Sequence, residues 1–330
     1  MGKAEAAKKV AATAVVGGGG LSLLGASFYG LLKTEAKLAR RAIGDAEGTP
    51  PDATGWYGTG RPGPAIRLAL LGDSSAAGYG VWRVEDTPGA RLAAGIAEAT
   101  DRRVFLTSLP VVGAQTRQLG PQVDQALALQ LDLAVILIGA NDVTHGRRQS
   151  ESIRELRKVL KRFGDAGVHV IVGTCPDLGT LEPLAPPLRQ VARLLSQRLA
   201  TAQAVATVES GGTSVSLASI LGAEFQKLPT LLFGPDRFHP SAAGYSRLAS
   251  VLVPAVLAVL DLGPEPAQAT EAKGPLLPIE DAAALASKTA GTTLEGSATT
   301  AAGRRPRFAR LLRRGQAPAA EAEAPAAAEA

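Results

Sequence analysis

The sequence is short of several things, and each shortage removes a class of protein. Cysteine occurs once, at Cys175, so no intrachain disulfide can form and the chain gives no redox-compartment signal. Histidine occurs three times, at His145, His169 and His239. No His/Cys cluster has the spacing of a zinc site. Aromatic residues make up only 4%, so a core must be built from Ala, Leu, Val and Gly, and the 46% hydrophobic content of this 330-residue chain suffices for one substantial domain with appendages. No G-x-G-x-x-G opens a helix after the first predicted strand, which argues against a dinucleotide-binding fold. The net charge of +5 is gathered at the two ends. Residues 1–41 hold seven Lys/Arg against two Glu, residues 304–314 hold six Arg and no acid, and the rest of the chain is therefore net negative. A body of that sign carries no nucleic-acid footprint, whereas basic ends beside apolar sequence suit an anionic membrane surface.

Four segments follow from the composition along the chain. Residues 1–47 contain Val10 to Leu32, 23 residues without a charge, long enough to span a bilayer and flanked by lysines. Two readings stand: an uncleaved single-pass anchor, which the length and the absence of a clean A-x-A site favour, or a cleaved signal peptide that would leave a secreted protein. Residues 33–47 read as a short basic helix. Residues 48–64 are a Pro/Gly linker, and the domain is predicted to span 65–262. Residues 263–330, rich in Ala, Pro, Glu and Thr, read as a mostly disordered tail. Within it the basic island 304–314, RRPRFARLLRR, reads either as a small amphipathic helix for a lipid surface or as a solvated Arg-rich stretch.

Between 65 and 262, short aliphatic runs alternate with amphipathic segments. Strands are predicted at Ile66–Leu71, Val104–Leu109, Leu133–Ile138, Val168–Val172 and Ala204–Val208. Helices are predicted from Pro88 to about Ala99, Gln115 to Leu129 with a break near Gly120-Pro121, Ser150 to Phe163, Pro186 to Ala202, and Ser241 to Leu260. This alternation predicts an α/β fold, a parallel sheet with helices on both faces. In such a sheet, ligands bind beyond the carboxyl ends of the strands. Small polar stations fall at those ends: Asp73-Ser74 after the first strand, Gly113 after the second, and Gly139-Ala140-Asn141-Asp142 after the third. A fourth, Asp236-Arg237-Phe238-His239-Pro240, precedes the last helix.

These are the parts that acyl transfer needs. A serine hydroxyl requires a base, histidine is the usual base, and a carboxylate orients it. The developing oxyanion requires donors already in place. Ser74 offers a hydroxyl and an N–H, Gly113 an N–H, and Asn141 a side-chain amide. Asp236 and His239 are three residues apart and fit one turn. Asp73 and Asp142 read as loop-holding side chains, His145 as a surface histidine, His169 as part of a strand, and Cys175 as packed and unreactive. The loops near Gln115 and from Pro176 to Pro187 are expected to shape the pocket.

On Gly72-Asp73-Ser74, Gly113, Gly139-Ala140-Asn141-Asp142 and Asp236-x-x-His239-Pro240, in that order, the chain resembles the SGNH, or GDSL-type, hydrolases over about residues 65–262. It departs from the family's name motif at Ser75, where that motif has Leu. The resemblance implies a three-layer α/β/α sandwich of flavodoxin-like form. It also implies Ser74 as nucleophile, His239 as base, Asp236 as its partner, and an oxyanion hole from the Ser74 and Gly113 N–H groups and the Asn141 side chain. The expected activity is hydrolysis of a small-molecule or lipid ester with no metal or organic cofactor. An acyltransferase or carbohydrate deacetylase on the same site, and a catalytically idle binding module at the membrane, are the alternatives.

Overall fold

The computed structural model describes residues 26–39, 41–43, 48–217, 223–262, 272–286, 292–296 and 308–313. Five parallel strands form the centre of the sheet: β2 (Ile66–Gly72), β3 (Val104–Ser108), β4 (Leu133–Leu137), β5 (His169–Gly173) and β6 (Thr213–Val215). A short β1 (Gly55–Tyr57) lies antiparallel on the outer edge of β3. Beyond β6 the sheet continues with three antiparallel strands, β7 (Ala272–Pro278), β8 (Thr292–Gly296) and β9 (Phe308–Arg313), giving the order β1-β3-β2-β4-β5-β6-β8-β9-β7.

Side chains of a strand alternate between faces, and β2 shows what each face buries. Leu68 and Leu70 pack with α3 (Pro88–Thr100) and α10 (Ala242–Val259), through Leu92, Ile96, Tyr245, Leu252 and Val256. Ala69 and Leu71 pack on the other side, with α4 (Gly120–Leu127) and α6 (Gln149–Asp165), through Val123, Leu156, Leu160 and Phe163. The fold is thus α/β, with a mostly parallel central sheet between helices. Among the described residues α10 alone is a helix long and apolar enough to cross a membrane. Its buried face here covers the sheet. Thr87 caps α3 through Ala90 N–H, with Pro88 in the first turn, and Ser241 caps α10 through Gly244 N–H.

Three expectations need correction. Ala204–Val208 is not a strand but the end of α7 (Leu188–Glu209), and the fifth parallel strand is the three-residue β6 after the Gly211-Gly212 turn. A short apolar run does not distinguish strand from buried helix, and here Ala204 and Val208 face a core at helical spacing. The domain starts before Ala65. Ala53 is buried, the Tyr57 hydroxyl donates to Ala53 O (2.7 Å), and Trp56 packs on Phe105 (5.0 Å). The tail expected to be mostly disordered contains β7, β8, β9 and α11 (Ile279–Ala286). Ile279, Ala282, Ala283, Leu294 and Ala309 make a small core with Ala204 and Val208. That core is mainly alanine, so composition alone reads it as low complexity. Within the basic island, 308–313 is strand rather than helix, while 304–307 and 314 lie outside the described residues.

Most of the Val10–Leu32 run also lies outside the described residues. Its last part enters α1 (26–39), which rests on the domain. Ala39 is buried, Leu188 N–H donates to Glu35 Oε2 (2.9 Å), and Arg237 Nη2 donates to Ala42 O (3.1 Å).

Candidate active site

The first station is built by the end of β2. Gly72 has φ +142, and a Cβ there would lie 1.9 Å from Leu137 O, so only glycine lets β2 run this close to β4. Asp73 N–H then donates to Leu137 O (3.1 Å). The chain turns into α2 (Ser74–Ala77), with Asp73 as its cap. Asp73 Oδ1 accepts from the Ser75 N–H (3.0 Å) and from the Ser75 hydroxyl (2.6 Å), which gives a local use to the residue that departs from the family motif. Asp73 is fully buried, and that burial pushes its carboxyl above the ordinary value despite the bonds from Ser75. Ser74 is left at the first helical position beyond the sheet edge, 8% exposed.

The turn before α10 supplies the partners. Asp236 Oδ1 accepts from the backbone N–H groups of Phe238 and His239, both at 3.0 Å. Asp236 Oδ2 faces His239 Nδ1 at 2.6 Å, and His239 Nε2 faces Ser74 Oγ at 2.8 Å. The structure therefore brings Ser74, His239 and Asp236 into one continuous hydrogen-bonded line. Burial pushes the Asp236 carboxyl up, but the bonds from His239 and the two backbone N–H groups outweigh it, and the net pKa lies below the ordinary 3.8. With Asp236 ionised, Nδ1 holds the imidazole proton and Nε2 is free to accept one from Ser74. The ring is held edgewise between Tyr79 (4.8 Å) and Phe238 (4.9 Å). Tyr79 is fixed in turn by the buried Tyr245, whose hydroxyl donates to Tyr79 O (2.8 Å).

The two remaining stations are tied to each other. Gly113 (φ +80) lies exposed in the loop after β3, and Asn141 opens α5 (Ala140–Thr144) after β4. Asn141 Nδ2 donates one hydrogen to Ala114 O (3.1 Å). An amide nitrogen carries two, so a second donor is available. Asp142 is buried and accepts from the Thr116 N–H (3.1 Å), the Thr116 hydroxyl (2.9 Å) and the Ser152 hydroxyl (2.6 Å). Asp142 thus fastens the Gly113 loop to the Asn141 loop, a cross-link wider than the local loop-holding read from sequence.

Ser74, Asn141 and His239 line one apolar cavity of ≈ 60 Å³, closed by Leu178, Leu181, Leu217, Phe225 and Phe238. Leu178 and Leu181 come from the Pro176–Pro187 loop. Gly113 does not line this cavity. Of the other residues singled out, His145 is exposed and bonds its own helix at Asn141 O (2.8 Å), and His169 bonds Thr213 Oγ1 across to β6 (3.0 Å). Cys175 is buried, and its thiol pKa is pushed well up by that burial and by nearby carboxylates. Among the described residues no group of three or more His, Cys, Asp or Glu is placed to hold a metal ion.

Sequence reasoning did not reach Tyr79, Tyr245 or the cavity residues Leu217 and Phe225. Their signal is spatial: a tyrosine five residues past the serine and another four past Ser241 meet only in the fold.

The model of the GDSL-like lipase/acylhydrolase family matches residues 70–247, more than half of the chain. A GDSL-like esterase of Mycobacterium tuberculosis is 37% identical over 249 residues, covering 71% of this chain and 79% of that protein. Among solved structures, the lipase/acylhydrolase from Enterococcus faecalis aligns at 19% identity over 58% of this chain and 96% of its own, with TM-score 0.45. An acetyl xylan esterase from Geobacillus stearothermophilus aligns at 18% identity over 60% and 96%, with TM-score 0.47. The chain belongs to the GDSL-like lipase/acylhydrolase family. That membership makes it an ester hydrolase.

Proposed function

We propose that the protein hydrolyses a carboxylic ester through an acyl-enzyme on Ser74. The observation that carries this reading is the line Ser74 Oγ···His239 Nε2 (2.8 Å) and His239 Nδ1···Asp236 Oδ2 (2.6 Å) at the end of a buried strand. Ser74 Oγ attacks the ester carbonyl while His239 Nε2 takes its proton, and ionised Asp236 stabilises the imidazolium. The oxyanion is held by the Ser74 and Gly113 N–H groups and the second Asn141 N–H. His239 returns the proton to the leaving alcohol. It then removes one from the attacking water and passes it to Ser74 Oγ as the acyl–oxygen bond breaks, and the acid departs. A sugar or lipid hydroxyl in place of that water would make the same site an acyltransferase.

The cavity beside Ser74 is taken as the acyl pocket. At ≈ 60 Å³ it is far below the roughly 300–1,000 Å³ of sites for drug-sized ligands. That size fits a short acyl group. The uncharged run Val10–Leu32 is proposed to hold the enzyme at a membrane, with the part of α1 after Leu32 as the connection to the domain. Hydrolysis of p-nitrophenyl esters from acetate to palmitate, with and without an alcohol acceptor, tests the acyl pocket and the choice between hydrolysis and transfer. The proposal expects kcat/KM to peak at two to four carbons and to fall by about tenfold or more by eight. A maximum at long chains refutes the acyl-pocket assignment, and ester products with the acceptor identify transfer.

A further inference from the structure

We infer that Gln122, on α4, is a positioning residue that sets the nucleophile against the oxyanion loop. Pairing of β2 with β3 ends at Leu70 and Ser108, followed by the Leu109 N–H to Leu70 O bond (2.9 Å). Past that point the chain leaving β3 still reaches Gly72 O through the Val111 N–H (3.1 Å), but the Gly72 N–H bonds a side chain instead of that chain. Gln122 fills the gap. Its Oε1 accepts from the Gly72 N–H (2.8 Å), and its Nε2 donates to Gly72 O (3.0 Å). The side chain is 2% exposed, and both bonds are buried. Backbone chemistry fixes the amide's orientation, because an N–H must meet the oxygen and a carbonyl the nitrogen.

Gly72 O also accepts from the Val111 N–H (3.1 Å), Ala114 N–H bonds Val111 O (3.0 Å), and Ala114 O accepts from Asn141 Nδ2 (3.1 Å). One carbonyl, two residues before Ser74, thus joins Gln122 to the loop that carries Gly113 and through it to Asn141. Gln122 is not among the residues that line the cavity beside Ser74. It holds the peptide from which both the nucleophile and the oxyanion loop hang. Catalytic geometry is sensitive at this scale, since a misplacement of about 1 Å can cost on the order of 100-fold in rate. The inference rests on the oxyanion roles proposed above for Ser74, Gly113 and Asn141.

The test uses the full chain with Gln122→Met and Gln122→Glu, a short p-nitrophenyl ester, and a trifluoromethyl ketone that forms a tetrahedral adduct. For Gln122→Met, kcat is expected to fall about 10- to 100-fold with KM within about twofold, and the Ki of the ketone to rise by a similar factor. In Gln122→Glu the introduced carboxyl matches the amide only when protonated, with one O–H donor and one acceptor. Ionised, it turns a second acceptor onto Gly72 O. Burial raises its pKa, so activity relative to wild type should rise as pH falls from 8 to 6, which a purely structural loss would not do. A folded Gln122→Met with kcat within twofold of wild type, a loss confined to KM, or a folded Gln122→Glu whose activity relative to wild type does not rise from pH 8 to pH 6 overturns the inference. If Asn141→Ala also keeps full activity, the oxyanion assignment itself falls; if Asn141→Ala is impaired while the Gln122 variants are not, only the positioning role falls.

Discussion

Replacing Asp236 with Asn changes one atom of the side chain and should nearly abolish turnover while leaving the fold intact. The amide oxygen can still accept from the Phe238 and His239 N–H groups, now at 3.0 Å to the carboxylate. Turning each bond from charge-assisted to neutral costs about 1 kcal/mol, so the domain should lose roughly 2 kcal/mol and remain folded. The amide nitrogen then faces His239 Nδ1, where the carboxylate oxygen stood at 2.6 Å. Two N–H donors cannot share that contact. The imidazole must move its proton to Nε2, which points at Ser74 Oγ and can no longer accept from it. Loss of the tautomer costs on the order of 10⁴-fold in kcat in a serine triad. The assay is steady-state kcat on a short p-nitrophenyl ester, beside a thermal melt. Asp236→Ala should lose similar activity but more stability, because two N–H groups of the turn lose their acceptor. A folded Asp236→Asn within tenfold of wild type would refute the role assigned to the carboxylate. The lowered Asp236 pKa also has a stability consequence. Its contribution is complete above the unfolded value of 3.8 and disappears as pH falls through the lower folded-state value, so the stability gap to Asp236→Asn should close only at acid pH.

Three further outcomes follow from the geometry. Asn141→Ala should lower kcat by about 100- to 1,000-fold with little change in KM, measured on the same ester, because it removes the N–H proposed for the oxyanion along with the bond to Ala114 O. Gly72→Ala should fail to give soluble native protein by size exclusion and circular dichroism, since its Cβ would fall 1.9 Å from Leu137 O at a φ of +142. Truncation after Leu262 should lower the melting temperature and promote association seen by light scattering. It removes β8 from the edge of β6 and uncovers Ala204 and Val208 on α7.

The parallel core of the fold was legible because its strands centre on apolar runs, as at Leu68–Leu71 and Leu133–Leu137, and because α3 and α10 have clear start signals at Thr87-Pro88 and Ser241. What escaped was short or alanine-built. A three-residue strand such as β1 or β6 carries too little pattern to separate from linker, and the end of α7 shares its apolar run with a strand. The tail strands gain their stability from β6 and α7, neighbours that local sequence does not reveal. At the site, Ser74, Asn141, Asp236 and His239 were nameable because acyl chemistry demands those residue types beside strand ends. Their supports were not. Gln122 reads as an ordinary helix residue until its amide is found on Gly72, 50 residues earlier in the chain. The same holds for Tyr245, whose hydroxyl steadies Tyr79 against His239.

The central claim is that Ser74 is the nucleophile, activated by His239. Treating the full chain with a fluorophosphonate and locating the adduct by peptide mass spectrometry tests it most directly. The account predicts a single stoichiometric adduct on Ser74, formed together with loss of esterase activity and absent from a folded Ser74→Ala. Modification at another serine, or esterase activity that survives in Ser74→Ala, would contradict it.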